Sequence, residues 1–370
     1  MLDVPTFPAT NKSSRQYFWQ IHKLVYYPRT NWELPVGTER GQLSIEGAIT
    51  IEVMLGLTLP SISDAELQSI ETAAPPGSTI RVANGVRAAI EEAADIDVLL
   101  GFIPEPLFHA APKLRWVHAI ASGMDSMLYP AMRDSDVVLT GEKGLVGGHL
   151  ADTGFGLLLA LTRQIKTAFQ LGADGWNHRP SMRAKEIELE GMTMGIVGFG
   201  GTGRALAKRA VAFGMNVLAV DALAVPPSNG VSEVWMLDRL DDLLAASDIV
   251  AIGAPLTNET LNLISDHAFS AMRPGALIMN VTRGEIIDGD ALVAALRDGR
   301  CGGAALDVAP EEPLPADHPL WTFDNVAMTP HTAGASQLRG PRNIARFCEN
   351  LGLAQENKQL TGVVDKQAGF

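Results

Sequence analysis

The run Gly198-Phe199-Gly200-Gly201-Thr202-Gly203 constrains the fold more than any other feature of the chain, because of what flanks it. The apolar segment Met192–Val197 ahead of it predicts a strand. Arg204–Phe213 behind it predicts a helix, ended by Gly214. A second strand, Asn216–Val220, ends in Asp221, 18 positions after Gly203. Strand, glycine turn, helix, strand and acid, in that order, predict a dinucleotide-binding βαβ unit. Gly198 makes the tight turn, Gly200 lets the backbone approach a pyrophosphate, and Gly203 lets the helix pack close to the strand. The helix N-terminus, with Gly201 and Thr202 in its loop, offers free N–H groups and a positive dipole end to the anion. Asp221 can accept hydrogen bonds from an adenosine ribose diol. The next residues are Ala222, Leu223, Ala224 and Val225, with no arginine to pair with a 2′-phosphate. Asp221 itself repels that group, so NADH is expected over NADPH.

The rest of the chain alternates in the same way. Strands are expected at Ile49–Leu57, Ser78–Val82, Val98–Gly101, Leu114–Ile120 and Val137–Thr140. Helices are expected at Ser63–Ala73, with Ser63 as cap and Glu66 three positions on, and at Val86–Ala94. A long apolar helix is expected from about Leu150 to Leu171, buried or at a subunit interface, and then a loop over Gly172–Ser181, rich in breakers. Further strands follow at Ser232–Met236, Ile249–Gly253, Ala276–Val281, Ala304–Val308 and Val326–Thr329. Two successive blocks of this kind predict two α/β domains with parallel sheets. Residues 1–47 differ: they hold Phe7, Tyr17, Phe18, Trp19, Tyr26, Tyr27 and Trp32. Aromatics at that density are expected to be packed against the body or a neighbouring subunit.

Charge and cysteine usage exclude several classes. The formal net charge is −13, and no three basic residues stand together, so a nucleic-acid-binding surface is not expected. Cys301 and Cys348 are 47 positions apart, which is neither a disulfide framework nor a metal-ligand spacing. The most apolar run, Gly154–Leu161, falls far short of the roughly 20 residues that span a bilayer. No basic-then-apolar leader opens the chain. A cytoplasmic protein with reduced thiols and no membrane partner is expected.

In an open parallel sheet, ligands bind beyond the carboxyl ends of the strands. There the later strands present Thr282-Arg283-Gly284, Pro310-Glu311-Glu312-Pro313 and Pro330-His331. Taken singly, each charged residue here is more often a surface or structural group. Together they suit hydride chemistry on a keto acid. Reduction of a carbonyl builds negative charge on its oxygen, and His331 can supply the proton or remove it in reverse. Glu312 can hold the imidazole and favour its charged form. Arg283 can bind a carboxylate through two parallel hydrogen bonds.

From about Ala48 to Phe370 the chain resembles the D-isomer-specific 2-hydroxyacid dehydrogenases. The resemblance is carried by residues 189–221, by APLTNETLNLI (254–264), by MRPGALIMNVTRGEIIDGDALVAAL (272–296), by GGAALDVAPEEPLPADHPLW (302–321) and by NVAMTPHTAG (325–334). It implies that Arg283 holds the substrate carboxylate, Glu312 orients the histidine and His331 is the acid/base. It implies that Asp307 lies near the nicotinamide ribose, with Ala254, Pro255, Thr282 and Gly334 lining the cofactor. Ser122 and Gly123, in ASGMD, would offer N–H groups to the substrate carboxylate. The implied architecture is a flavodoxin-like substrate domain (48–147 and 332–370) and a Rossmann-type NAD-binding domain (148–331), with 1–47 as an extension. A homodimer through the helix starting near Leu150 is implied as well. Glu312 stands where formate dehydrogenases have Gln. Asp152-Thr153, Thr202 and Thr282 depart from common family residues, and none removes a catalytic group. Glyoxylate, hydroxypyruvate or a larger apolar keto acid would suit the enzyme reading. The alternative is an NAD-sensing scaffold like the C-terminal-binding corepressors, with little turnover. Trp176 is either a residue offered to a neighbouring active site or a buried loop anchor. Of Arg115 and His118, strand alternation lets only one reach the cleft, where it could meet a second anionic group.

Overall fold

The computed structural model describes residues 52–55 and 62–370; the expectations for 1–47 lie outside the described residues. The first block comprises β1 (Glu52–Leu55), α1 (Asp64–Ala73), β2 (Thr79–Val82), α2 (Val86–Glu92), β3 (Val98–Leu100), α3 (Glu105–Ala110), β4 (Trp116–His118), α4 (Pro130–Arg133) and β5 (Val138–Thr140). Its strands form a parallel sheet in the order β2-β1-β3-β4-β5, the flavodoxin-like order. Ser63 caps α1 in a reciprocal box: its backbone N–H donates to Glu66 Oε2 at 2.9 Å, and its hydroxyl accepts from the Glu66 N–H at 3.4 Å.

Three helices then lead to the second block: α5 (Gly147–Thr162), α6 (Ile165–Leu171) and α7 (Gly175–Arg183). The second block continues with β6 (Thr193–Val197), α8 (Gly201–Ala212), β7 (Asn216–Asp221), β8 (Val234–Met236), α9 (Leu240–Ala246), β9 (Ile249–Ile252), α10 (Asp266–Ala271), β10 (Ala276–Asn280), α11 (Gly289–Asp298), β11 (Cys301–Leu306), β12 (Val326–Met328) and α12 (Arg339–Gln355). The sheet order is β12-β11-β10-β9-β6-β7-β8, all parallel, which is the Rossmann arrangement. Every residue of β9 and β10 is buried, as expected of strands covered on both faces. Val250, Ile252 and Ile278 pack with Phe269 and Leu292 on one face. Ile249, Ala251 and Met279 pack with Phe155 and Leu158 of α5 on the other. α12 returns to the first sheet, where Phe347 and Leu351 bury Val98, Leu100 and Trp116.

Three expectations need correction. The long helix starts earlier, at Gly147, and breaks at Gln164, whose φ is 52°. The break aims Lys166 at three backbone carbonyls, those of Phe323, Asp324 and Val326 at 3.0, 3.2 and 2.6 Å. Residues 175–183 are helical rather than a loop. Asp174 supports that first turn by accepting from Asn177 Nδ2 at 2.7 Å and by pairing with His178 at 3.2 Å, and Pro180 is accommodated in so short a helix. β11 begins at Cys301, three residues before the expected start, and ends before Asp307. Gly302, inside β11, allows close approach: a Cβ there would lie 2.1 Å from the Gly275 carbonyl oxygen.

Candidate functional site

The two sheets belong to one compact unit, and a cavity lies between their carboxyl-edge loops. The glycine loop forms one wall. Gly198 leaves β6 at φ 91°, and a Cβ on it would lie 2.5 Å from the Ala254 nitrogen, so the two loops interlock. A Cβ on Gly200 would meet nothing within 4 Å, which leaves open space in front of the N-terminus of α8. Gly200, Gly201, Thr202, Ala254, Pro255 and Thr282 all line the cavity. Gly203 is buried inside α8. Such an open cradle at a helix N-terminus fits a pyrophosphate.

Asp221, at the end of β7, is half-buried, and each of its carboxylate oxygens accepts a backbone N–H. Oδ2 takes that of Phe199 at 2.7 Å and Oδ1 that of Leu223 at 2.9 Å. Arg204 was not singled out from the sequence. Its guanidinium lies 4.7 Å from the centroid of the Phe199 ring and donates to Ser228 Oγ at 2.5 Å and to the Pro226 carbonyl at 2.7 Å. Burial lowers its pKa, and the Asp221 carboxylate acts against that shift.

Arg283 follows β10 and reaches across the cavity. Its Nε and Nη2 donate to Asp125 Oδ1 at 3.2 and 3.0 Å, and its Nη1 to the Thr282 carbonyl at 2.9 Å. The turn beneath it is set by Asn280, fully buried, whose Nδ2 donates to the Arg283 carbonyl at 2.7 Å. Asn280 Oδ1 accepts from the Thr282 N–H at 3.0 Å and hydroxyl at 3.1 Å. Ser122 and Gly123 line the same space, and Gly123 lies so near Arg283 that a Cβ would overlap its guanidinium. Asp125 and Asn280 were missed. Asp125 stands inside the ASGMD segment, and Asn280 is a polar residue closing an apolar strand.

His331 lines the cavity beside Arg283, and its Nδ1 stands 2.7 Å from Glu312 Oε2. Glu312 Oε1 accepts the Ala309 N–H at 3.0 Å, so the carboxylate is held at both oxygens. The His331 backbone is left-handed, with φ 52°, a conformation that costs a non-glycine residue on the order of 1 kcal/mol. Asp307, 1% exposed, holds it there. Its carbonyl accepts the His331 N–H at 2.7 Å, and its carboxylate accepts the Thr329 hydroxyl and the Thr332 and Ala333 N–H groups at 2.6, 2.9 and 2.9 Å. Those contacts aim the Asp307 carboxylate at the histidine loop; Asp307 is not among the residues lining the cavity.

Gly334 lines the cavity, and its carbonyl accepts from Arg339 Nη1 at 3.0 Å. Arg339 also pairs with the buried Glu142 at 2.7 Å, joining the end of the first sheet to the start of α12. His118 does not reach the cleft: it is buried against Phe347, with Nδ1 2.7 Å from Thr140 Oγ1, and burial pushes its pKa down to about 3. Arg115 is likewise absent from the lining. Trp176 is 79% exposed on α7, which removes the reading of a buried loop anchor. Among the described residues there is no group of three or more side chains suited to hold a metal ion, and no helix long and apolar enough to cross a membrane.

Two nucleotide-type sheets meeting at a cleft with a His–Glu pair and an arginine define a dehydrogenase-like architecture. Residues 155–333 match the family described as D-isomer specific 2-hydroxyacid dehydrogenase, NAD binding domain. A glyoxylate reductase of Korarchaeum cryptofilum (strain OPF8) is 34% identical over 298 residues, covering 77% of this chain and 85% of that protein. The chain belongs to the D-isomer-specific 2-hydroxyacid dehydrogenase family. A crystal structure of a family protein from Aeromonas salmonicida subsp. salmonicida A449 superposes with a TM-score of 0.70 at 29% identity, covering 86% of this chain and all of that one. A family member from Xanthobacter autotrophicus Py2, solved with NADPH and MES, superposes with a TM-score of 0.71 at 26% identity over 87% of this chain and all of that one.

Proposed function

We propose that this protein is an NADH-dependent reductase that interconverts a 2-keto acid and a D-2-hydroxy acid. The observation that carries the reading is the 2.7 Å contact of His331 Nδ1 with Glu312, on the wall of a cavity that Arg283 also lines. The Gly198–Gly203 loop would hold the dinucleotide's pyrophosphate, Asp221 its adenosine ribose, and Ala254, Pro255, Thr282 and Gly334 would line its nicotinamide end. When bound, it supplies the hydride. Arg283, with the N–H groups at Ser122 and Gly123, binds the substrate carboxylate and fixes the carbonyl. Glu312 anchors Nδ1 of His331, which leaves Nε2 to give a proton to the carbonyl oxygen in reduction and to take it in oxidation. Asp307 holds the His331 loop, and the family resemblance puts it near the nicotinamide ribose as well.

The same reading gives residues 48–147 and 332–370 to substrate binding, 148–331 to the cofactor, and 1–47 to an extension. It includes a homodimer through the helix containing Leu150, supported by the exposed Phe169 and Trp176 on the helices that follow. It includes a cytoplasmic location, in keeping with the unpaired Cys301 and Cys348. A panel of 2-keto acids followed by NADH absorbance is the test. Turnover of at least one member is expected, and negligible turnover of all of them sinks the enzyme reading in favour of an NAD-sensing scaffold.

A further inference from the structure

Three permanent cations line the cavity: Lys143, Arg283 and Arg339. Two are matched by carboxylates, Arg283 by Asp125 at 3.0 Å and Arg339 by Glu142 at 2.7 Å. Lys143 is different. It sits on the loop after β5, open to the cleft, with Nζ 5.6 Å from the centroid of the Phe370 ring. Desolvation by the surrounding walls lowers its pKa, and Asp365 acts against that shift. Arg346 donates to the Lys143 carbonyl at 3.3 Å and adds a second positive charge behind the loop.

The wall beside Lys143 is apolar and built by the C-terminal segment. That segment runs alongside β5: Thr140 bridges Val363, and the Gly141 N–H donates to the Gly362 carbonyl at 3.0 Å. It then turns back, with the Asp365 N–H donating to the Phe370 carbonyl at 3.0 Å, and this brings Val364, Gly369 and Phe370 to the cavity. Val146 completes the patch from the Lys143 loop. A substrate as small as glyoxylate would leave both the apolar wall and the ammonium unmet.

We infer that Lys143 and this wall form a subsite for the far end of the substrate side chain, so that the substrate class is a 2-keto dicarboxylic acid. The inference rests on the keto-acid reading above. Arg283 takes the carboxylate next to the carbonyl, the methylene groups lie on Val364 and Phe370, and Lys143 takes the terminal carboxylate. A hydride passes from the reduced dinucleotide to the carbonyl carbon. The carbonyl π pair becomes the bond between oxygen and the proton supplied by His331. The products are the D-2-hydroxy dicarboxylate and the oxidised dinucleotide.

The experiment compares kcat/KM for 2-oxosuccinate, 2-oxoglutarate and 2-oxoadipate with that for the monoacid of the same chain length, in the wild type, Lys143→Arg and Lys143→Met. One diacid is expected to be favoured by about 10- to 100-fold in the wild type, the range of one charge-assisted hydrogen bond. Lys143→Arg keeps that ratio and Lys143→Met abolishes it. In parallel, titration calorimetry with N-oxalylglycine, which carries a carboxylate at each end and is not reduced, is expected to show weaker binding to Lys143→Met than to the wild type. A preference for monoacids, or a ratio unchanged in Lys143→Met, overturns the subsite. Where no keto acid is turned over, the reaction assigned above fails, and equal binding of N-oxalylglycine to wild type and Lys143→Met overturns the subsite separately.

Discussion

Arg283 and Asp125, 158 positions apart in the chain, meet across the cavity, with Nη2 and Nε both donating to Oδ1 at 3.0 and 3.2 Å. That contact occupies the Nε edge of the guanidinium, and the Thr282 carbonyl takes one Nη1 donor at 2.9 Å, so a ligand meets the remaining N–H groups of Nη1 and Nη2. Arg283→Ala removes the charge and both donors, and is expected to cost roughly 10² to 10⁴ in kcat/KM for keto acids, with NADH affinity little changed. Asp125→Ala leaves the charge and releases its aim. A loss of about tenfold is expected there, seen in KM more than in kcat. Steady-state kinetics of both variants decides the matter: an Arg283→Ala enzyme with wild-type kcat/KM would remove Arg283 from substrate binding.

The 2.7 Å contact between His331 and Glu312 sets a carboxylate against the ring that would exchange the proton. Reduction requires the imidazolium and oxidation the neutral ring, so reductive kcat/KM falls at high pH and oxidative kcat/KM at low pH, through one ionisation of the pair. Glu312→Gln keeps a hydrogen bond and removes the carboxylate, and is expected to lower kcat more than it changes KM. His331→Ala removes the limb and most of the turnover while NADH still binds. A Glu312→Gln enzyme with wild-type kcat and KM would dismantle the pair.

These residues differ in how legible they were. The glycine loop, its strands and Asp221 could be read because each signal is local: apolar runs, a glycine spacing and a helix start lie within about thirty residues. Arg283, Glu312 and His331 could be read because strand order in a parallel sheet sends the residues after each strand to one edge. Asp125 could not, since its partner lies in the other sheet's loops and no periodicity links them. Arg204 was hidden because it reads as an ordinary helix residue, and no local pattern shows that its side chain folds back to Ser228 and Pro226 after β7. Pro180 was read as a breaker because its local tendency is real, and the short helix Gly175–Arg183 nonetheless accommodates it. Asp307 was placed near the nicotinamide ribose by resemblance alone; its hydrogen bonds to the histidine loop, 22 to 26 positions on, left no local signal.

His118 gives a stability prediction with a defined sign. Buried beside Phe347, it has its pKa pushed from an ordinary 6.5 down to about 3, first by desolvation and then by Arg346. The unfolded chain takes a proton below about 6.5 and the folded chain does not until about 3, so stability is intact above the upper value and falls as pH drops between the two. The slope from this one group is about 1.4 kcal/mol per pH unit. His118→Asn removes the titration and keeps a polar partner for Thr140. The stability difference between wild type and variant in urea melts is therefore expected to shift against the wild type by that slope from about pH 6 to about pH 4. Parallel losses in the two proteins would rule out His118 as the titrating group.

The last prediction concerns cofactor choice and the proximity of Arg204 to Asp221. Wild-type enzyme is expected to prefer NADH, because the Asp221 carboxylate repels a 2′-phosphate. Asp221 also accepts the Phe199 N–H at 2.7 Å, so Asp221→Ala should weaken NADH use as well as admit NADPH. Once the carboxylate is gone, Arg204, held by Ser228 and Pro226, is the cation that can meet the phosphate. The single variant is expected to raise kcat/KM with NADPH by about 10- to 100-fold, the worth of a charge-assisted contact, and the double variant Asp221→Ala/Arg204→Ala to lose most of that gain. Wild-type activity with NADPH equal to that with NADH would refute the role of Asp221. A gain that survives in the double variant would leave Asp221 as the gatekeeper and remove Arg204 from phosphate recognition, since its guanidinium would then serve only to brace the loop that follows β7.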